Sequence, residues 1–405
     1  MHAWILLVFA FTLVAGCGGG GSDGPPPVPS RFLYASAYAG PNTFPASIYG
    51  FGVYTGGALS PVPGSPAATS DGGGPIAITR DSKLLYTSSA VSLISLTGGD
   101  ALGLSASQIN ADGSLTNAPV PYYSMSDAQV GLVAHPTADF LFASGNSGVL
   151  TVFAIDSPTG ALSSMSSVTL ANKFLKNSAV ITPNGRYLYQ NDVDRNDDLF
   201  PASLQLAGFS TDAATGALSP VPGSPLTLTT PSPSTTSNTG PMAIDPTGKF
   251  LYVPYQFVVL NVGFDGGIAA YSIDAASGAL TAVPGSPFGV GGVPSSIAID
   301  ASGRFLIVSI FPLGGGSRLA VFSIDPGTGA LTSVPGSFGP TYVWGPVVAD
   351  PSGPYVYAGT ALQNENTSAT VFALSIDQTT GALASIGQTV PDSTKLGVSF
   401  IALTH

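Results

Sequence analysis

The 405-residue sequence predicts an all-β protein, built from seven four-stranded units that close into a ring. Three observations lead to this prediction. The composition favours strands and turns, two hairpin motifs alternate along the chain, and the two chain ends together complete one unit.

The composition excludes several classes of protein. Charged residues make up 8% of the chain, against about 25% in a typical globular domain. At 44%, hydrophobic residues are too frequent for a disordered chain. The 51 glycines and 35 prolines interrupt every long helical pattern, which favours short strands joined by turns. The net charge of −11 repels polyanions, so nucleic acid is not an expected partner.

The first hairpin motif is clearest in RLAVFSIDPGTGALTSVPGSF, residues 318–338. A β-prone run at 319–324 is followed by turn residues at 325–329 and a second strand at 330–334. Its Gly-x-Leu core recurs at an average interval of 54 residues (324/6). The seven copies begin at Gly57, Gly113, Gly160, Gly216, Gly278, Gly329 and Gly381.

The second hairpin motif alternates with the first. Its strong copies are MAIDPTGKFLYV (242–253), IAIDASGRFLIV (297–308) and VVADPSGPYVYA (347–358), and weaker copies begin at Ile76, Leu132 and Ala179. Each copy is a strand, a tight Asp/Gly turn and another strand. Two hairpins per repeat give four strands, which we name A to D.

The chain ends supply the seventh copy of the second motif. IALTH at 401–405 followed by SRFLYAS at 30–36 aligns with IAIDASGRFLIVS at 297–309. We therefore expect one blade to contain both ends, which closes the ring and removes free sheet edges. The predicted fold is a seven-bladed β-propeller over residues 31–405, with about 54 residues per blade.

The decapeptide GALSPVPGSP occurs twice, at 57–66 and 216–225. In the repeat it covers the C–D turn and the outermost strand, where proline is tolerated and discourages pairing with another molecule. We interpret the repeated decapeptide as a structural element of the outer rim of the ring rather than as a functional motif.

The N-terminus is predicted to be a signal segment, followed by a linker. Residues 1–17 hold an apolar run that ends in LVAGC, which resembles the lipobox of bacterial lipoproteins, with Cys17 as the lipidated residue. Because Cys17 is the only cysteine, no disulfide can form within the chain. Residues 18–30, GGGGSDGPPPVPS, are the linker. We expect a cell-envelope protein anchored by lipid, in the outer membrane because Gly18 rather than Asp follows the cysteine.

The two motifs together resemble the lactonase-like seven-bladed propellers, which include bacterial 6-phosphogluconolactonase. The resemblance covers all seven blades, but its motifs specify turns and strands rather than a reaction. It implies a substrate site at the end of the channel where the D–A and B–C loops meet, with basic residues and a histidine or acid. His135 and His405 fall in A–B turns at the other end, so a base here would be a carboxylate.

No catalytic set is assigned from the sequence. Side chains in loops of the expected functional end are candidates for ligand binding: Tyr123, Lys173, Arg195, Arg318, Trp344 and Glu365. Further aromatic residues, among them Tyr255 and Phe257, are predicted on the same end, where they either stack on a ligand or pack loop on loop.

One acidic segment is a candidate calcium loop. Oxygen ligands at Asp192, Asp194, Asn196 and Asp198 share the alternate spacing of calcium-binding loops. The alternative is a solvated acidic loop with Arg195 as its counter-charge. No cofactor is required by any other motif.

Two main functions follow from the sequence. The first is a monomeric, lipid-anchored binding or scaffold module for a glycan or protein partner. The alternative is a lactone hydrolase of the 6-phosphogluconolactonase type, acting at the central channel. A third is a structural surface protein like the related propellers with a Tyr-Val-Thr-Asn repeat, a tetrapeptide that this sequence lacks.

Overall fold

The computed structural model describes fourteen segments of the chain: 28–38, 47–68, 73–89, 102–126, 129–145, 147–170, 179–194, 203–228, 237–259, 263–311, 316–336, 345–360, 369–392 and 397–405. Within these segments all regular structure is β-strand, and none of it is helical. Accordingly, no described segment forms an apolar helix that could cross a membrane. Cys17 and most of the linker lie outside the described residues.

The strands form seven antiparallel sheets, each a blade with strands A to D in order from the channel outwards. Strands A, from blade 1 to blade 7, are Gly397–Leu403, Gly73–Ile78, Gln129–Ala134, Ala179–Ile181, Ser237–Thr239 with Ala243–Ile244, Val293–Ile299 and Val347–Ala349. Strands B are Arg31–Tyr38, Leu84–Ser89, Phe140–Gly145, Tyr187–Asp194, Phe250–Val259, Phe305–Phe311 and Tyr355–Gly359.

The outer strands follow the same order. Strands C are Ser47–Val53, Gly103–Ile109, Val149–Asp156, Ser203–Thr211, Gly263–Ile273, Arg318–Ile324 and Ala369–Ile376. Strands D are Leu59–Pro61 with Ala67–Ala68, Leu115–Ser124, Ala161–Thr169, Leu218–Pro220 with Leu226–Thr227, Leu280–Ala282 with Phe288–Gly289, Leu331–Ser333 and Leu383–Asp392.

The blades form a closed ring. Each strand A contacts the strand A of the next blade, and the last contacts the first. Blade 1 contains both ends of the chain, because strand 397–403 pairs with strand 31–38 in the register Leu33↔Leu403 and Ala35↔Ile401. The side chain of Thr404 adds a bond from the Phe32 N–H to its Oγ1 at 2.9 Å. The predicted propeller and its closure are confirmed.

The core lies between neighbouring blades. Strand B is buried on both faces because each face packs against another blade; Leu33, Tyr34 and Ala35 are all 0% exposed. Five junctions share one hydrogen bond, from a strand-B tyrosine hydroxyl to the carbonyl of the glycine in the next blade's C–D turn. The pairs are Tyr34 with Gly113, Tyr86 with Gly160, Tyr189 with Gly278, Tyr252 with Gly329 and Tyr357 with Gly57.

Six of the C–D glycines lie so close to an aromatic ring of the preceding blade that a side chain would crowd against it. Gly329 has a φ of +78°, and a Cβ there would stand 2.4 Å from the ring of Phe250 in the preceding blade. Equivalent aromatic contacts occur at five more junctions: Phe32 on Gly113, Phe140 on Gly216, Tyr187 on Gly278, Phe305 on Gly381 and Tyr355 on Gly57. The Gly-x-Leu repeat therefore encodes blade packing as well as a turn.

Side chains of aspartate fix the two kinds of turn. In the C–D turn, Asp325 accepts the N–H groups of Gly327 and Thr328 and the hydroxyl of Thr328. These bonds hold the pKa of Asp325 below its usual value. In the A–B turn, Asp300 is only 1% exposed and accepts the N–H groups of Ser302, Arg304 and Phe305. The predicted turn chemistry is confirmed at both positions.

His135 takes the place of this aspartate in blade 3. Its Nδ1 accepts the N–H groups of Thr137 and Ala138, at 3.1 and 3.0 Å, and its Nε2 lies 3.0 Å from the Gly185 carbonyl of blade 4. Because Nδ1 accepts, the proton belongs on Nε2, which donates to the carbonyl. Burial lowers the pKa of His135. His135 is therefore a turn and junction residue, as the sequence predicts.

We expect acid to destabilise the protein through His135. The folded pKa is below the unfolded one, so this contribution to the free energy of unfolding is complete above the unfolded value of about 6.5 and is lost as pH falls through the folded value. His135→Asn keeps one acceptor and one donor but does not titrate. Thermal unfolding at about pH 7.5 and about pH 5 should show a larger acid-induced loss in the wild type than in the variant. Equal losses would contradict this role.

The duplicated decapeptide lies on the rim, as predicted, but it does more than end strand D. After Leu59–Pro61, the Val62 N–H bonds the Gly50 carbonyl, and the Gly50 N–H bonds Ser65 Oγ at 3.1 Å. The second copy repeats this pattern, with a 2.9 Å bond from Gly208 N–H to Ser224 Oγ. The segment thus covers the edge of strand C with a loop.

Candidate functional site

The end of the channel with the D–A and B–C connections is the candidate site. Every strand B carries a small or polar residue two positions after the last residue of its Phe-Leu-Tyr motif, near the beginning of the neighbouring strand A. These residues are Ser36, Ser88, Ser144, Asn191, Pro254, Ser309 and Gly359, and all seven are buried. They occupy equivalent positions around the ring of blades, and five of the seven have polar side chains.

Blade 4 departs from this pattern by carrying two carboxamides in succession. Gln190 and Asn191 are both 0% exposed and face opposite neighbours. Ser144 Oγ of blade 3 donates to Gln190 Oε1 at 2.9 Å, and Asn191 Nδ2 donates to Thr239 Oγ1 of blade 5. Gln190 Nε2 and Asn191 Oδ1 have no hydrogen-bond partner among the described residues. Such buried atoms are normally satisfied by ordered water or a ligand.

The sequence did not single out these two carboxamides. The signal was present, because the same two positions of the other strands B hold Ala-Ser, Thr-Ser, Val-Pro, Val-Ser or Ala-Gly. The alternation of residues along strand B predicts that both residues belong to a buried strand. Buried strand residues are ordinarily interpreted as part of the structural core. Only the comparison of blades shows that Gln190 and Asn191 are unusual.

The acidic segment begins as a strand. Strand B of blade 4 continues to Asp194, and its backbone pairs Asp192 with Gln205 and Asp194 with Ser203. The predicted B–C loop therefore starts three residues later than the sequence suggests, because the ladder with strand C extends to Asp194. Arg195, Asn196 and Asp198 lie outside the described residues. Among the described residues no three His, Cys, Asp or Glu side chains are grouped to hold a metal, so the calcium loop stays a prediction.

Tyr123 lies away from the channel. It belongs to strand D of blade 2, and its ring packs edge-on against Phe153 of blade 3 at 5.0 Å between centroids. The loop position expected for Tyr123 is wrong: blade 2 lacks the Pro-Val-Pro-Gly-Ser segment, so its strand D runs on to Ser124. Its ligand-binding role was predicted from that loop position.

Arg318 lies at the expected end of the channel. It is the first residue of strand C in blade 6, paired with Ile310, and it is half-buried. The remaining predicted ligand-binding residues, Lys173, Arg195, Trp344 and Glu365, lie outside the described residues. Arg318 and Tyr123 themselves lie in different blades, 6 and 2, so these two described residues are not brought together.

Two of the predicted surface aromatics are interior residues. Tyr255 and Phe257 are 2% and 6% exposed, stack with centroids 6.1 Å apart, and pack between blades 4 and 5. Burial, with the nearby charge of Asp265, raises the pKa of Tyr255 to about 12. These rings support the mouth rather than forming its surface.

Comparison with known proteins agrees with this architecture. Residues 201–344 match the family described as Lactonase, 7-bladed beta-propeller. A Bacteroides uniformis protein assigned as a 6-phosphogluconolactonase is 16% identical with a TM-score of 0.68, over 92% of this chain and 99% of that one. The periplasmic gluconolactonase of Pseudomonas aeruginosa is 16% identical with a TM-score of 0.66, over 93% and 99%.

No curated protein matches the sequence significantly. At such low identities the solved structures establish the fold, while the family match supplies the sequence pattern. The chain is a seven-bladed β-propeller, and residues 201–344 carry the sequence pattern of the lactonase propellers.

Proposed function

We propose that the protein is a lactone hydrolase that acts at the channel end with the D–A and B–C connections. The match of residues 201–344 to the lactonase propellers carries this proposal. Two similar folds carry the names 6-phosphogluconolactonase and periplasmic gluconolactonase, which supports a lactone as the substrate class. The name of the periplasmic gluconolactonase supports combining this activity with the location that we propose outside the cytoplasm.

Blade 4 is the part of the channel that best fits this chemistry. Lactone hydrolysis needs a positioned water, a base to take its proton, and donors for the developing oxyanion. The unsatisfied atoms of Gln190 and Asn191 can hold ordered water. The next residues of the same strand are two carboxylates, Asp192 and Asp194, and either can serve as the base.

The binding-module function has less support from the described residues. Tyr255 and Phe257 were expected to offer stacking surfaces for a sugar or peptide, yet both are buried between blades. A glycan or protein partner at this end would therefore depend on other residues, such as Phe311, which is exposed at the end of strand B in blade 6.

The proposal is tested with a panel of sugar and simple lactones. We expect the full chain to hydrolyse at least one of them, and Asp192→Asn or Asp194→Asn to lower kcat by about 100-fold if the altered carboxylate is the base. Asp325→Asn, at the opposite end of the ring, is the matched control and should keep full turnover. If no lactone in the panel is turned over by folded protein, the enzyme proposal fails.

The same preparations address location and metal. We propose that Cys17 is lipidated and anchors the protein in the cell envelope; in that case the full chain is recovered with membranes and Cys17→Ser is not. We also propose calcium at the acidic segment, and adding a chelator to the lactone assay tests whether the metal supports turnover.

A further inference from the structure

A pocket of about 410 Å³ opens at the other end of the ring, between blades 2 and 3. It is lined by the A–B turn and the adjoining strands of blade 2 and by the C–D turn of blade 3, so it lies opposite the proposed lactone site. Its lining residues are Lys83, Leu84, Gln108, Ile109, Asn110, Ser157 and Pro158.

Blade 2 departs from the other six blades at the position of Leu84, beside this pocket. At six junctions an aromatic ring fills the space against the next blade's glycine, as Phe305 does against Gly381. Between blades 2 and 3 the equivalent residue is Leu84, whose Cδ2 would lie 3.5 Å from a Cβ on Gly160. The smaller side chain leaves room that a ring fills elsewhere.

The residue before Leu84 is Lys83, where blades 4 and 6 carry an arginine that bridges to the next blade. In blade 6, Arg304 lies over the ring of Phe305 and donates to the Gln378 carbonyl of blade 7 at 2.7 Å. In blade 4, Arg186 spans its junction in the same way. The corresponding Lys83 has 75% of its side chain exposed and lies 3.8 Å from Asp81. Lys83 therefore does not bridge to the next blade as Arg186 and Arg304 do; a different residue, Arg80, pairs with Asp139 of blade 3.

The lining favours a neutral ligand over an ion. The charge of Lys83 is balanced by Asp81, whose carboxylate also accepts the Ser157 hydroxyl at 3.3 Å. Nearby Arg80 is paired with Asp139. With the overall charge of −11, no excess positive charge remains here to attract an anion.

The remaining groups are those that suit a sugar ring. Ile109 and Pro158 offer apolar surface, while the carboxamides of Gln108 and Asn110 and the Ser157 hydroxyl offer donors and acceptors. A pyranose has one apolar face and a rim of hydroxyl groups, and the volume falls within the usual range of about 300 to 1,000 Å³ for ligand pockets. We propose that this pocket binds a small neutral polyhydroxylated ring such as a monosaccharide.

The test uses methyl glycosides of glucose, galactose and mannose as neutral probes, and glucuronate as an anionic one. Binding to the full chain is followed by calorimetry or by saturation-transfer NMR. We expect saturable binding of at least one methyl glycoside, with Kd in the range of about 1 mM, and weaker binding of glucuronate. Absence of saturable binding by every methyl glycoside, or tighter binding of glucuronate, would overturn the proposal.

Variants locate the binding. The double variant Lys83→Arg with Leu84→Phe introduces the pair that blade 6 carries and should fill the pocket, weakening binding by about tenfold or more. Lys249→Arg makes the same lysine change at the equivalent position of blade 5 and should leave binding unaltered. Binding that survives the double variant would place the sugar elsewhere and refute the assignment.

Two further measurements distinguish a loss of sugar binding from a loss of folding and from an effect on the lactone site. Thermal unfolding shows whether the double variant folds; if it does not, Gln108→Ala, which removes one half-buried carboxamide, replaces it and should also weaken binding. Lactone turnover should be unchanged by these variants, because the pocket lies at the other end of the ring. The sugar pocket and the lactone site can therefore fail independently.

Discussion

Removal of residues 397–405 should leave a chain that cannot form the closed ring. This segment is strand A of blade 1, and it buries Val398 and Ile401 against blades 1 and 7. Its loss would remove the whole ladder with strand 31–38 and expose the edge of that strand. We expect a loss above about 5 kcal/mol, comparable with the total stability of many domains, and therefore insoluble or unfolded protein.

The matched control removes only His405. Thr404, whose Oγ1 accepts the Phe32 N–H, and the entire terminal strand remain in that variant. Circular dichroism and size-exclusion chromatography should show native protein for the control and aggregate for the longer deletion. Soluble, cooperatively folding protein after the longer deletion would show that closure contributes little to stability.

Replacing Asp300 by alanine should cause the largest loss among single substitutions in the turns. Its carboxylate accepts the N–H groups of Ser302, Arg304 and Phe305 and the Ser302 hydroxyl, all close to a buried strand. Alanine leaves those donors without a partner where water has little access. We expect the free energy of unfolding to fall by about 3 kcal/mol or more, measured by urea denaturation.

Asp325→Ala provides the comparison. Asp325 makes the same kind of bonds in a C–D turn, but it is exposed, so its N–H partners can bond to water instead. We expect a clearly smaller loss. Equal losses at the two positions would mean that burial is not what makes the A–B turn sensitive.

Local patterns were sufficient to predict the fold. The A–B turn aspartates, the Gly-x-Leu cores and the complementary chain ends each impose a short-range constraint, and closure then fixes the number of blades. Strand ends were less predictable. Tyr123 and Asp192 were assigned to loops, yet both lie in strands that continue because a neighbouring strand offers a ladder.

The candidate site was only partly predictable. Gln190 and Asn191 are ordinary strand residues in isolation, and their importance depends on which atoms the neighbouring blades leave unsatisfied. The pocket beside Lys83 likewise depends on an aromatic ring that is missing at one junction out of seven. Both features arise because one blade differs from its neighbours in the folded ring. The sequence of a single repeat does not reveal them.

The tyrosine bonds between blades have a consequence for how such a ring can diversify. Each tyrosine hydroxyl recognises a main-chain oxygen of the next blade, not one of its side chains. A neighbour can therefore change almost every side chain and still present the same acceptor, provided that its glycine turn is kept. The hydrogen bonds between blades are therefore kept when side chains change. Each blade can then acquire its own surface residues.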